Sequence, residues 1–132
     1  MSKYDAIYSD IWKIFDTVEW KAEAIPSYPT DMIQASGVTN FIKISQFANY
    51  EKLQQTSGLL EIDIYINAGD GPKQANIIAD KLDKYLANKT RTTGLTGSTQ
   101  FFESSLAFFG TDKANPSLSR YRYTIPFNYY GN

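Results

Sequence analysis

Residues 57–86 read SGLLEIDIYINAGDGPKQANIIADKLDKYL, and the change of period inside this stretch decides the fold. From Leu60 to Ile66 the apolar residues fall at every second position. Leu60, Ile62, Ile64 and Ile66 face one way, with Glu61, Asp63 and Tyr65 facing the other. That is a half-buried strand with one wetter side. After Pro72 the period lengthens, and Ala75, Ile78, Ala79, Leu82 and Leu86 form one stripe of a helix spanning about Pro72 to Leu86. Pro72 suits the first helical turn.

The junction between them, Asn67-Ala68-Gly69-Asp70-Gly71, poses a choice between a ligand loop and a turn. Free amides at a helix start can receive an anion. The stretch nevertheless lacks the GxGxxG and GxxxxGK[ST] spacings, and Asp70 puts negative charge where a phosphate would sit. The glycines instead supply a tight strand-to-helix reversal, with Asp70 placed to cap the helix or brace the turn.

Working outward, an amphipathic helix is expected from about Lys3 to Val18. Ile7, Ile11, Ile14, Phe15 and Val18 are apolar, Lys3, Ser9, Asp10, Lys13 and Asp16 lie between them, and Trp12 and Trp20 widen the stripe. Pro26 and Pro29 make residues 21–37 an irregular connection. Strands are expected at Thr39–Phe47, Ser57–Asn67, Thr99–Phe108 and Leu118–Tyr129. Residues 48–57 and 88–100 read as loops, and Gly110–Ser117 as a loose hairpin connection. In the last strand Tyr121, Tyr123, Ile125 and Phe127 oppose Arg120, Arg122, Thr124 and Asn128. Pro126, lacking a ladder donor, points to an edge or a bulge. The expectation is an α+β fold of one domain over residues 1–132, in the order α-β-β-α-β-β. A mostly antiparallel four-stranded sheet carries two principal helices on one face, the alternative being a more strongly curled sheet with both faces partly covered.

Composition narrows the chemistry. The 132 residues suffice for one core, burying about 68% of the unfolded surface. No cysteine and no histidine occur, which removes thiolate nucleophiles, thiolate metal sites and the usual general base. A formal charge of -1 gives no steering field for nucleic acid or anionic membrane, and no apolar run is long enough to span a bilayer. No cofactor or metal is expected. Aromatic residues reach 15%, which suits a protein interface.

Two catalytic or binding alternatives rest on particular residues. Glu61 and Asp63 share a strand face and could do acid/base or divalent-cation work, or could meet Arg120 or Arg122 across the sheet. In SRYRYTIPFNYY the arginines alternate away from Tyr121 and Tyr123, so rings and charges do not address one nucleic acid ligand. Mixed aromatics and charges at Phe41, Phe47, Tyr65, Arg120 and Arg122 instead suit a subunit-facing surface, and the loops holding Arg91, Thr93 and Leu95 suit partner contacts.

Over most of its length the chain resembles the tail terminator and tail-completion proteins of long-tailed bacteriophages. The resemblance is carried by the early amphipathic helix, FIKISQF, TSGLLEIDIYINAGDGPKQANIIADKLDKYL and RYRYTIPFNYY. Its parts are an extended strand at Gly58–Asn67, a small-residue turn at Ala68–Pro72, an alanine-rich helix with an IAD element at Ala75–Leu86, and a late aromatic strand at Arg120–Tyr130. The resemblance implies an α/β subunit of a ring, commonly hexameric. Such a ring caps the finished tail tube, ends its polymerisation and offers the joining surface for the head connector. It implies no enzyme activity. Its partners would be copies of itself, the tail-tube protein and a connector or neck protein. Its place would be the head-proximal end of the tail in the virion, reached from the host cytoplasm during assembly. Another neck or tail-completion protein is the alternative, ahead of an unrelated interaction domain or a carboxylate enzyme.

Overall fold

A computed structural model describes residues 3–29, 40–52, 55–92 and 97–131. Its elements run α1 (Lys3–Phe15), α2 (Val18–Ala22), β1 (Ser27–Pro29), β2 (Phe41–Lys52), β3 (Gln55–Asn67), α3 (Lys73–Leu86), β4 (Thr90–Thr92), β5 (Gly97–Phe101), β6 (Ser105–Thr111) and β7 (Leu118–Gly131). Among the described residues this makes a 7-stranded sheet in the order β1-β2-β3-β7-β5-β4, with β6 also paired to β7. The expected four-stranded sheet with two helices, and its α-β-β-α-β-β order, are therefore corrected to seven strands and three helices. All strand pairs are antiparallel except β1 with β2.

The differences have local causes. The early helix stops at Phe15, because the Thr17 side chain accepts from the Trp20 amide at 3.2 Å and caps a separate short helix. That restart turns Trp20 into the core and leaves Val18, expected in the buried stripe, 80% exposed. In the supposedly irregular connection, residues Ser27–Pro29 lie parallel to Ile42–Ile44 as an edge strand. The supposed loop at 48–57 is the far end of a long hairpin. There Tyr50, Glu51 and Lys52 pair with Ser57, Thr56 and Gln55, after a bulge between Ala48 and Tyr50. Residues 88–100 likewise contain β4 and the start of β5.

The expected single strand at Thr99–Phe108 is split. Phe101 pairs with Phe127 and Ser105 with Thr124, so three residues on one side oppose two on the other. Pro126 sits at this break, inside the sheet, and its carbonyl accepts from the Phe102 amide at 3.1 Å. It marks a bulge and no edge.

The interior follows from the two periods. Leu60, Ile62, Ile64 and Ile66 meet Tyr121, Tyr123, Ile125 and Phe127 on one sheet face. α1 adds Ile7, Ile11, Ile14 and Phe15, and α3 adds Ala75, Ile78, Ala79, Leu82 and Leu86. Each large apolar side chain enclosed there contributes about 1.5–3 kcal/mol. On the opposite face the described residues form a small apolar cluster of Phe41, Tyr65 and Leu118 with Tyr28 beside it. The reversal before α3 uses Gly69 at φ 96 and Gly71 at φ 73, and Pro72 stands at the cap without a side-chain hydrogen bond. Asp70 thus does not cap the helix.

Two polar ties lock the helices down. Tyr123, fully buried in β7, donates its hydroxyl to Asp83 of α3 at 2.6 Å. Glu23, just after α2, meets Lys84 at 3.0 Å and Lys81 at 3.6 Å, and accepts from the Tyr85 hydroxyl at 3.0 Å. Lys84 foremost, then Tyr85, holds the Glu23 carboxyl below its ordinary value.

Candidate interaction surface

Alternation along β3 and β7 places Glu61, Asp63, Arg120 and Arg122 together on the sheet face away from the helices. The register sets Asp63 opposite Arg122 and Tyr65 opposite Arg120. Arg122 reaches Glu61 through Nη1 at 2.8 Å and Asp63 through Nε at 2.9 Å, while Arg120 Nη1 lies 3.8 Å from Asp63. The hydrogen bond to Asp63 chiefly holds the Arg122 guanidinium above its ordinary value. Phe109 of β6 covers both cations, its ring centre 5.2 Å from Arg120 and 4.7 Å from Arg122. Glu61 and Asp63 are therefore bound into a neutralised cross-strand ladder. Among the described residues no group of three or more potential ligands gathers as a metal site.

Beside this ladder Phe41 and Tyr65 stack at 4.7 Å with an interplanar angle of 11°, and Tyr28 meets Phe41 edge-on at 6.0 Å. Phe41 is 0% exposed and Tyr65 is buried, so these rings form a second small core. Burial chiefly pushes the Tyr65 hydroxyl up. Phe47 pairs with Leu59 along the backbone, its side chain lying outside the described part. Thr93 and Leu95 also lie outside the described residues. Arg91 donates through Nη2 to the carbonyl of Tyr85, in the last turn of α3, and so anchors a helix end. Of the eight residues singled out in the sequence, the structure brings Phe41 to Tyr65 and Arg120 to Arg122, and sets Arg91 apart from both pairs.

Three features had no signal in the sequence reading. First, β6 carries Phe108 at 61% and Phe109 at 47% exposure, and among the described residues it pairs with β7 alone. Its segment SLAFFGT has no charge and no proline, the usual guards of a free edge. Second, Trp12, Phe15, Trp20, Ile25, Pro26 and Ser27 line a cavity of about 460 Å³ at the opposite end of the sheet. Third, Asp10 is 0% exposed, with one oxygen accepting from the Thr99 hydroxyl at 2.7 Å and the other unpartnered. Asp10 and Arg91, whose Nε is also buried without a partner, border a cavity of about 270 Å³. Burial chiefly raises the Asp10 carboxyl above its ordinary value, against the Thr99 hydrogen bond and Lys13.

Among the described residues no helix is long and apolar enough to cross a membrane. No protein-family model and no curated protein matches the chain. It is similar to a solved structure over the full length of both chains. The match has a TM-score of 0.72 at 13% identity, and covers 100% of this chain and 99% of the other. At that identity the likeness speaks for the fold alone.

Proposed function

We propose that the chain is a structural subunit of a long-tailed phage: a ring protein that caps the tail tube, ends its polymerisation and presents the joining surface for the head connector. The observation that carries this reading is the unguarded β6 edge, where Phe108 and Phe109 stand exposed on a strand without charge or proline. Such an edge invites another protein chain. Closure of identical subunits into a ring covers it on every copy at once. The composition supports the same reading, since a chain without histidine or cysteine and with 15% aromatics is built for contact more than for chemistry. The whole-chain resemblance supplies the class of assembly. The same surface features would serve a neighbouring neck or tail-completion protein, which is the second reading.

The deciding experiment measures mass in solution, with purified tail tube present and absent. A closed multiple of the 14.9 kDa chain that binds tube ends and halts further growth is expected. A chain that stays monomeric under both conditions sinks the proposal. A ring that binds a connector and leaves tube growth unchanged transfers it to the neck reading.

A further inference from the structure

We infer that Phe108 of one copy of the chain seats in the cavity between α1, α2 and β1 of the neighbouring copy, making the seam between subunits an aromatic knob in an aromatic hole. This rests on the ring reading above and says which surfaces meet.

The knob is unfinished packing. Phe108 lies opposite Tyr121, with ring centres 4.9 Å apart, so it stands on the helix side of the sheet, as Tyr121 and Ile64 do. The helices do not reach far enough to cover it, and it remains 61% exposed. Removing a phenylalanine side chain from water is favourable, and Phe108 is the most exposed aromatic among the described residues. The hole is equally unfinished. Its roughly 460 Å³, walled by Trp12, Phe15 and Trp20, leaves room for one aromatic side chain, and Lys21 and Ala24 border it on exposed backbone.

Position along the strands makes the two ends of the sheet match. Phe108 pairs with Tyr121, Tyr121 with Ile64, Ile64 with Ile42, and Ile42 with Ser27, which lines the hole. Knob and hole thus stand at opposite ends of one cross-strand row, at the same height. A neighbour placed by rotation about an axis along the strands brings them together without a rise per subunit. A head-to-tail contact without rise closes into a ring when its rotation divides a full turn.

A backbone ladder between the same two edges is disfavoured, because Pro29 in β1 offers no N–H. The side chain therefore carries the seam. Charge agrees, for Ala107, Phe109 and Gly110 flank the knob with no charge, and Asp16 and Lys21 beside the hole cancel.

The absence of cysteine makes the test direct. Full-length Ala107→Cys protein, which keeps Phe108 and whose cysteine stands on an exposed residue beside it, is mixed with full-length Lys21→Cys protein and treated with a bismaleimide, with each variant alone as a control. The mixture is expected to give a covalent dimer several-fold above either control. Phe108→Asp, changed at an exposed position, is expected to keep the native circular dichroism and lose the ring mass. Cross-linking of Ala107→Cys only to itself would overturn the inference in favour of two β6 strands meeting face to face. A Phe108→Asp protein that still forms the full ring would overturn it as well. A native ring without the mixed cross-link refutes this seam and leaves the ring reading standing. A mixed cross-link in a chain that never closes on a tube supports the contact and refutes the ring.

Discussion

The Tyr123 hydroxyl and the Asp83 carboxylate meet at 2.6 Å beneath α3, where a central strand and a helix would otherwise touch only through apolar groups. Ser104, in the β5–β6 bulge, donates to the same oxygen. Burial first, then the bond to Asp83, pushes the Tyr123 hydroxyl far above its ordinary value, so it stays a donor at every physiological pH. Replacing Tyr123 by Phe keeps the ring and deletes the donor. It is expected to cost about 1.5–3 kcal/mol, the range for a hydrogen bond to a charged group, in urea unfolding. An unchanged midpoint would show that the pair contributes nothing net.

Asp10 sets a pH dependence in the acid range. Its folded-state value lies above the ordinary 3.8, so the folded chain binds that proton more tightly than the unfolded chain. Its contribution is therefore most favourable below 3.8 and is lost as pH rises through the raised value. Asp10→Asn removes the buried charge. The variant is expected to be more stable than the native chain at pH 7 and to lose that advantage towards pH 3.5. Denaturation midpoints across that range check it, and a variant no more stable at neutral pH would contradict an uncompensated charge at this site.

The outer-face ladder is a coupled set. Arg122→Ala is expected to cost about 1 kcal/mol, and a cycle with Asp63→Ala should return a coupling of about 0.5–1 kcal/mol that shrinks in high salt. Additive effects of the two substitutions would mean that the pair is idle.

Two glycines separate conformation from space. A Cβ on Gly97 would lie 2.1 Å from the Tyr130 carbonyl oxygen, a backbone atom that cannot turn aside. Gly71 has φ 73 and nothing within 4 Å of an added Cβ. Gly97→Ala is expected to cost about 1–3 kcal/mol through overpacking at the β5–β7 pairing on top of an unfavourable φ of 155, and Gly71→Ala about 1–2 kcal/mol through backbone conformation alone. Thermal melts are expected to place Gly97→Ala below Gly71→Ala, the difference reporting the steric part. A Gly97→Ala chain that melts with the native one would show the strand end to be loosely held.

The parts of this fold legible in the sequence are those whose burial is periodic. β3, α3 and β7 each present one wet and one dry side, and their apolar sets are the ones found inside. The strand ends at 48–52 and 55–57 are illegible because their residues are mostly polar, so no alternation marks them. Ser27–Pro29 and Thr90–Thr92 are too short for any period and exist as strands only through the neighbours they pair with. Asp10 looked like an outward residue between apolar ones, since helical spacing cannot tell that β5 will close over it with Thr99. The knob and the hole are less accessible still. Phe108 reads as one more apolar strand residue, and its exposure arises because, among the described residues, no helix extends over β6. On the outer face the alternation did place Arg120, Arg122, Glu61 and Asp63 together, while it gave no warning that Phe41 and Tyr65 would bury each other.

β7 is the neighbour of β3, β5 and β6 at once, yet it spans residues 118–131 and leaves the ribosome after all of them. During synthesis, then, one edge of β3 waits for a mate that does not yet exist, β5 has only the three-residue β4 to pair with, and β6 has no strand to line up on. The hairpin of β2 and β3 can form early, but the sheet stays in two separate pieces until the late strand slides between them. Maturation of this domain is therefore expected to be one concerted event once β7 has been synthesised. A nascent chain halted short of residue 118 would be a client for chaperones.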